Sequence, residues 1–349
     1  MLINCMEKHS DEIILPKEFK DRIHIEFGDD GETWLRAFPG LLSDCIRQWQ
    51  LKDLKLSPYL SYNAVMTGTS SLYGEIVLKM SVPHREFFSE CNYILYHQQS
   101  EPKHPGTVVR RCLAYSPENH SMLLEWISPG NELWTITGLQ ERFKTGIGIL
   151  AASPVPYKEG FSVHTPYSDG FPSYNEWMDG AYEKARKAGR GSAFLHDCWE
   201  DSYRFLSDVE NESDGRMLLH GDLHHSNMLF DRKLGWQIID PKGVIGVKPM
   251  ECGRFIRNQL SDIEKNAGSG RMETKGVTAE KKRQLGILTD ACAEAFGTAA
   301  LTILKCCFVD AALSNCWYLE GEIPPDLLDD RTLSAERECR FFLEQLHSF

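Results

Sequence analysis

The chain has 349 residues, 42% of them apolar and 25% charged, proportions of a globular protein long enough for two packed units. A formal net charge of −12 argues against nucleic acid or an anionic membrane as partner and leans towards a cationic substrate. The 11 cysteines form an odd set with no C-x-x-C pair, and those at Cys306 and Cys307 lie between Leu304 and Phe308. That setting suits core packing in a reducing compartment, not a disulfide framework.

The opening MLINCMEKHSDE is charged early and lacks an apolar core, so no signal peptide is expected. The most apolar stretch, Ala295 to Leu304 between Glu294 and Lys305, is too short to span a bilayer, and a cytoplasmic protein is expected. After Leu15-Pro16 and the Gly28-Asp29-Asp30-Gly31 run, Leu41, Leu42, Cys45, Ile46 and Trp49 recur at helical spacing. They predict one apolar helix face over 41–49, with packing as its role. Three short strand candidates follow at 51–56, 63–66 and 75–80, the start of an antiparallel sheet. The loop Ser57 to Asn63 between the first two contains no glycine, and Gly68, Ser70, Ser71 and Gly74 suggest the next turn. The third strand carries a single Lys79 among apolar neighbours. Such a lysine, taken by itself, is more often simply solvent-facing on an alternating strand. Residues 85–95 have a helical pattern in which Glu86 and Glu90, four apart, share a face.

Segments 110–116 and 121–127 read as further strands, the second running into Ser128-Pro129-Gly130. Residues 152–175 are rich in Pro, Gly, Ser and Tyr, the composition of a long loop. Leu195, Cys198, Trp199 and Leu206 mark a buried helix face. Residues 264–283, with Gly-Ser-Gly and a basic run but no interleaved aromatics, suggest a flexible excursion and not a nucleic-acid patch. Segments 289–320 and 331–347 are helical with one apolar face. No internal repeat or heptad pattern is evident.

Leu218 to Gly243 is the most informative stretch. Met228 to Phe230 and Trp236 to Ile239 flank a polar, glycine-ended segment and predict a β-hairpin. A turn centred near Lys233 would set Asn227 roughly opposite Asp240, and Asp222 enters the same place from the preceding loop. An Asp, an Asn and a second Asp suit hard, oxygen-seeking Mg2+ together with phosphate oxygens. Zinc is the rival, since His220, His224 and His225 are close by. However, His224 and His225 are adjacent and no cysteine is near, unlike the usual zinc spacings.

His220-Gly221-Asp222-Leu223-His224-His225-Ser226-Asn227 resembles the catalytic loop of the aminoglycoside phosphotransferase family, relatives of protein kinases. Ile239-Asp240-Pro241-Lys242-Gly243, and a leader containing Trp34-Leu35, Pro39 and Trp49, are similar to the streptomycin 6-kinase and hydroxyurea phosphotransferase branch. Ser226 departs from the glycine common at that place. The resemblance implies an α+β, bilobal, protein-kinase-like fold. Its expected parts are an N-terminal helical leader over 1–50, a nucleotide-binding lobe with a small antiparallel sheet over 51–127, and a mainly helical catalytic and substrate lobe over 128–349. It further implies that Asp222 is the catalytic base and His220 a loop-supporting residue, with Asn227 and Asp240 holding Mg2+. Lys79 would contact the ATP phosphates, held by Glu90 with Glu86 as the fallback. By the same analogy Glu125 and Ile127 stand at the hinge, and Ser61 lies in the loop over the phosphates. That loop lacks the glycines by which kinases bring backbone amides to phosphate. Lys242 could reach a phosphate or neutralise the nearby carboxylates.

The implied activity is ATP-dependent phosphorylation of a small-molecule hydroxyl, on an aminoglycoside such as streptomycin or on hydroxyurea. A polycationic acceptor would need carboxylates, for which Glu251, Glu320 and Asp326 are candidates, though such residues are more often ordinary surface acids. A housekeeping kinase of a sugar or amino alcohol shares the same motifs. A nucleotide-binding regulator without turnover is the reading from another class, and the intact Lys79, Asp222, Asn227 and Asp240 argue against it.

Overall fold

In a computed structural model, residues 13–100, 108–160, 170–266, 274–320 and 325–348 are described. The chain divides into two units, one of Met1–Pro102, Arg110–Ser128 and Ser162–Asp169, the other of Lys103–Val109, Pro129–Phe161 and Gly170–Phe349.

The first unit begins with α1 (Lys17–Trp49), followed by β1 (Leu51–Leu56), β2 (Asn63–Ser70), β3 (Gly74–Ser81), α2 (Arg85–Ser100), β4 (Cys112–Ser116) and β5 (Ser121–Glu125). The strands form one antiparallel sheet in the order β1-β2-β3-β5-β4. Helix α1 is much longer than the 41–49 segment that the apolar spacing predicts. It is interrupted only at Gly28, whose φ of 53° and ψ of −128° no ordinary helical residue adopts, and it carries Pro39 within its length. Its buried side chains, among them Phe19, Ile23, Trp34, Phe38, Cys45 and Trp49, share one core with Ala64, Met66, Ile76, Leu78 and Met80 of the sheet. In β3 the residues facing α1 are thus Ile76, Leu78 and Met80, and the two-residue period of a strand turns Val77 and Lys79 to the opposite face. Gly68 lies inside β2, and the turn is confined to 71–73.

The second unit contains β6 (Pro129–Glu132), α3 (Leu139–Ala152), β7 (Val155–Pro156), α4 (Tyr174–Lys187), α5 (Ala193–Asn211), β8 (Met217–Leu219), β9 (Met228–Asp231), β10 (Gly235–Ile238), β11 (Val244–Gly246), α6 (Cys252–Asn266), α7 (Thr274–Phe296), α8 (Ala300–Leu319) and α9 (Pro325–Leu346). Two three-stranded sheets, β10-β9-β6 and β11-β8-β7, frame the loop between β8 and β9. The loop expected over 152–175 contains the short β7 and ends at a capping box, Ser173 accepting from the Glu176 amide while the Glu176 carboxylate accepts from that of Ser173. Its residues 161–169 lie outside the described residues.

The segment 264–283 is helical at both ends, where an excursion was expected: α6 continues to Asn266 and α7 starts at Thr274, while 267–273, with the Gly-Ser-Gly run, lie outside the described residues. The apolar stretch Ala295 to Leu304 is divided between the end of α7 at Phe296 and the start of α8 at Ala300. Helix α8, 20 residues, is long and apolar enough to cross a membrane by length and composition, yet 72% of its most apolar window is buried within the protein. It is the central helix of the second unit, apolar around its circumference because other helices surround it. All ten cysteines among the described residues are free and buried.

Helix α6 begins very close to α8. A Cβ on Gly253 would meet the Cβ of Asp310 and the carbonyl oxygen of Cys306 at 2.8 Å each, so glycine sets the spacing of the two helices. Gly253→Ala is expected to destabilise the protein by about 1–3 kcal/mol through overpacking, read as a lower urea midpoint at unchanged slope.

Candidate active site

In the first unit, Lys79 on β3 and Glu90 on α2 form a buried ion pair, Nζ to Oε2 2.6 Å, each side chain less than a tenth exposed. Glu86, one turn earlier, is exposed, so Glu90 is the acid that meets the lysine. Burying two charges is expensive, and their mutual geometry is what offsets the lost hydration. The loop between β1 and β2 is tied to α1: Arg22 donates to the carbonyl of Leu60 at 2.6 Å and to that of Ser61 at 3.4 Å. Ser61 itself is exposed. At the end of β5, Glu125 donates its amide to Arg111 O at 3.0 Å. Its carbonyl accepts from Arg110 Nε at 2.7 Å, so an adenine edge at Glu125 would share that carbonyl with Arg110. Ile127 is 6% exposed.

In the second unit, the loop after β8 is held by a set of hydrogen bonds that begins with two backbone amides. The amides of His220 and Gly221 donate to the two oxygens of Glu251, at 2.8 and 3.2 Å. Glu251 is 2% exposed and therefore serves this loop, not a polycationic acceptor as its acidity suggested. Burial pushes its carboxyl up to about 7, opposed by the two backbone donors. Gly221 has φ +78°, and a Cβ there would lie 2.6 Å from the Trp177 ring and 2.9 Å from Val244, so both conformation and space demand glycine.

His220 is fully buried and uses both nitrogens. Nε2 lies 2.9 Å from Ile239 O, and Nδ1 accepts the Asp222 amide at 3.2 Å, which assigns the neutral Nε2–H tautomer. Burial lowers its pKa to about 4. The His220 carbonyl in turn accepts the amides of Lys242 at 2.9 Å and Gly243 at 3.2 Å. The loop bearing Asp222 and the segment containing Asp240 are thereby joined through one histidine. His225 is sandwiched between the rings of Trp134 and Phe255, with centroids 4.0 and 4.2 Å away. Its Nδ1 lies 2.9 Å from Asn258 Oδ1. Burial lowers its pKa to about 3. His224 Nδ1 accepts the Ser226 amide at 3.2 Å. Each histidine of the motif thus has a structural bond in place of a shared metal, and among the described residues no group of His, Cys, Asp and Glu forms a metal cage.

The hairpin register departs by one residue from the expected pairing. Gly235 pairs with Asp231 and Ile238 with Met228, so Asn227 faces Ile239, whose amide donates to Asn227 O at 3.0 Å. Asp240 comes immediately after, with φ +56°, where the chain leaves the hairpin. Asn227 Nδ2 donates to Asp222 O at 2.9 Å. That bond uses the amide nitrogen and leaves Oδ1 as the group that, with the Asp240 carboxylate, would offer a hard cation oxygen ligands. Ser226, in place of the expected glycine, donates to Glu132 at 2.8 Å.

Arg254 escaped the sequence analysis. Its Nε lies 3.5 Å from Asp222 Oδ1 and 3.4 Å from Asp310 Oδ1. Asp310 also binds Arg257 at 2.6 Å, and Arg257 reaches Glu338 of α9 at 2.9 Å. Burial alone would push the Asp310 carboxyl up, but Arg254 and Arg257 outweigh it and hold the carboxyl below its ordinary range. The only hint in sequence was an i, i+3 arginine pair on α6 and a lone aspartate in an apolar helix. Of the other acids considered for an acceptor, Glu320 lies 4.0 Å from Lys184.

A model of the aminoglycoside/hydroxyurea antibiotic resistance kinases matches residues 77–285, a span that runs from β3 through the loop, the hairpin and α6. The chain belongs to that family. It is a small-molecule phosphotransferase with a protein-kinase-like fold. Among relatives, streptomycin 6-kinase of Streptomyces glaucescens is 24% identical over 266 residues, covering 76% of this chain and 78% of the relative. Among solved structures, the amicoumacin kinase hAmiN in complex with AMP-PNP, Ca2+ and Ami superposes with a TM-score of 0.59 at 11% identity, covering 91% of this chain and 96% of that one. The aminoglycoside phosphotransferase APH(4)-Ia, in a ternary complex with ADP and hygromycin B, gives 0.54 at 10% identity, covering 86% and 97%. At such identities the structures speak for the fold alone.

The buried histidines make the stability of this kinase pH-dependent. Their folded values lie below the ordinary 6.5, so their contribution is complete above pH 6.5 and is lost as pH falls towards 4. Glu251, with its raised value, works in the opposite sense between pH 4.5 and about 7 and offsets one of the two. His225→Phe keeps the ring stack and removes one titration. The stability difference between parent and variant should fall by about 2 kcal/mol from pH 7 to pH 5, measured by urea unfolding. Glu251→Gln replaces one of two acceptors by a donor facing an amide and is expected to destabilise by about 1–3 kcal/mol.

Proposed function

We propose that the protein is an Mg2+- and ATP-dependent O-kinase that transfers a phosphoryl group to a hydroxyl of a small molecule. The observation carrying this reading is the bond from Asn227 Nδ2 to the carbonyl of Asp222, which couples a cation ligand to the base-bearing loop. The buried Lys79–Glu90 pair supports it from the first unit. Glu90 fixes Lys79 so that its ammonium is presented to the nucleotide phosphates. Asn227 and Asp240 would hold Mg2+, whose charge, when bound, would offset that of the phosphate oxygens. Asp222 orients the acceptor hydroxyl and takes its proton, and His220, kept neutral, holds the loop without entering proton transfer. Most of the rate then comes from positioning and charge neutralisation. By analogy with the family's phosphate loop and hinge, Ser61 and the backbone of Ile127 would serve the nucleotide, and Glu125 would do so only by sharing the carbonyl that Arg110 already binds.

Streptomycin and hydroxyurea are the acceptors that the family description and the streptomycin kinases suggest. A cytoplasmic location agrees with the free, buried cysteines.

Asp222→Asn is expected to reduce phosphoryl transfer by at least about a thousandfold, while binding of a fluorescent ATP analogue is unchanged. Turnover within a fewfold of the parent would remove Asp222 from the mechanism. Asp240→Asn should raise the Mg2+ concentration needed for half-maximal rate, and an unaltered Mg2+ titration would reject that ligand. Retained nucleotide binding with no transfer to any acceptor would instead mark a regulator.

A further inference from the structure

A cavity of about 1060 Å³ within the second unit is lined by Asp222 and His224 and by side chains of α6, α7 and α9. Its size suits a drug-sized acceptor, and Asp222 makes it the place where an acceptor hydroxyl meets the proposed base. Its charged lining comprises five cations, Arg254, Arg257, Lys281, Arg337 and Arg340. Against them stand Asp222, Glu264, Glu338 and Glu344.

These charges are not equally available. Glu338 accepts both prongs of the Arg257 guanidinium, each at 2.9 Å. Glu264 is engaged by Lys281 at 2.5 Å. Asp222 faces Arg254 and is reserved for the hydroxyl. Glu344, exposed on α9, is the carboxylate left for a cationic acceptor. On the other side, Arg337 has no carboxylate partner among the described residues. Arg340 meets Glu336 at a long 3.5 Å, and its guanidinium is held 3.8 Å over the Phe194 ring. Arg337 and Arg340 are three apart and share a face of α9. Two arginines on one face suit a carboxylate or phosphate, whose oxygens match the planar guanidinium fork.

We propose that the acceptor of this kinase is a hydroxyl-bearing organic anion, a carboxylate or phosphate ester, whose charge is met by Arg337 and Arg340 while its hydroxyl is presented to Asp222. The proposal rests on the kinase reading above and narrows its substrate class away from polycationic aminoglycosides, despite the acidic net charge of the whole chain.

The test uses the full-length protein with Mg-ATP and a panel sorted by charge: gluconate and glycerate, glycerol phosphate, the neutral glucose and hydroxyurea, and the cationic streptomycin and kanamycin. Phosphate gain is read by mass spectrometry, and binding by calorimetry on Asp222→Asn protein loaded with Mg2+ and AMP-PNP. Saturable binding or phosphorylation of an anionic member is expected, and the arms separate carboxylate from phosphate recognition. The double variant Arg337→Glu, Arg340→Glu should weaken it at least about tenfold, and Arg337→Glu alone, at an exposed side chain with no carboxylate partner among the described residues, should weaken it with a thermal midpoint near the parent's. Phosphorylation of streptomycin by the parent overturns the proposal. So does an absence of anion binding at millimolar concentration, or anion binding indifferent to the double variant. The kinase reading fails separately, if the slow hydrolysis of Mg-ATP without acceptor is the same in Asp222→Asn as in the parent.

Discussion

The second unit depends on a carboxylate that never meets solvent. Glu251 terminates the amides of His220 and Gly221, two donors that the sharp turn at Gly221 points inward and away from any strand partner. A buried amide left unbonded is costly, so the loop can hold this shape only while Glu251 is beneath it. From that support the rest follows in order. His220 is seated and bonds Ile239 and the Asp222 amide, its carbonyl gathers Lys242 and Gly243, and Asn227 closes back onto Asp222. The proposed base and the two proposed cation ligands are thus set by bonds that each engage the backbone, most of them from the buried or half-buried side chains of Glu251, His220 and Asn227.

A second chain of charge runs from Asp222 through Arg254, Asp310 and Arg257 to Glu338. It opens at Asp222 and passes through the interior, where Asp310 interrupts the apolar surface of α8. Its value lies less in stability than in register, since an ion chain of this length fits only one relative rotation of α6, α8 and α9. The close approach at Gly253 sets the distance over which that register operates.

Much of this architecture could be read in the residues because it is local. The strand with Lys79, the helix with Glu90 four residues after Glu86, and the hairpin around Lys233 each carry their own periodicity or turn chemistry. What escaped was non-local or disguised. Glu251 is separated from His220 by |i−j| of 31, and nothing in its neighbourhood distinguishes it from a surface acid. Arg254 and Asp310 gain meaning only once α6 lies on α8. Helix α1 was concealed by Gly28 and Pro39, residues that usually end helices but here mark a kink and an interior position. The one-residue offset between Asn227 and Asp240 lies within what turn centring can resolve, and it matters, because Asp240 leaves the strand in a left-handed conformation.

Helix α9 furnishes Arg337, Arg340, Phe341 and Phe342 to the cavity. Among the described residues it is tied to the charge chain that ends at Asp222 through Glu338, held by Arg257. The face proposed to select an acceptor and the loop proposed to carry the transfer are therefore written in separate parts of the chain. Over evolutionary time, single changes on the last helix can exchange one acceptor for another, while the inherited chemistry passes on intact.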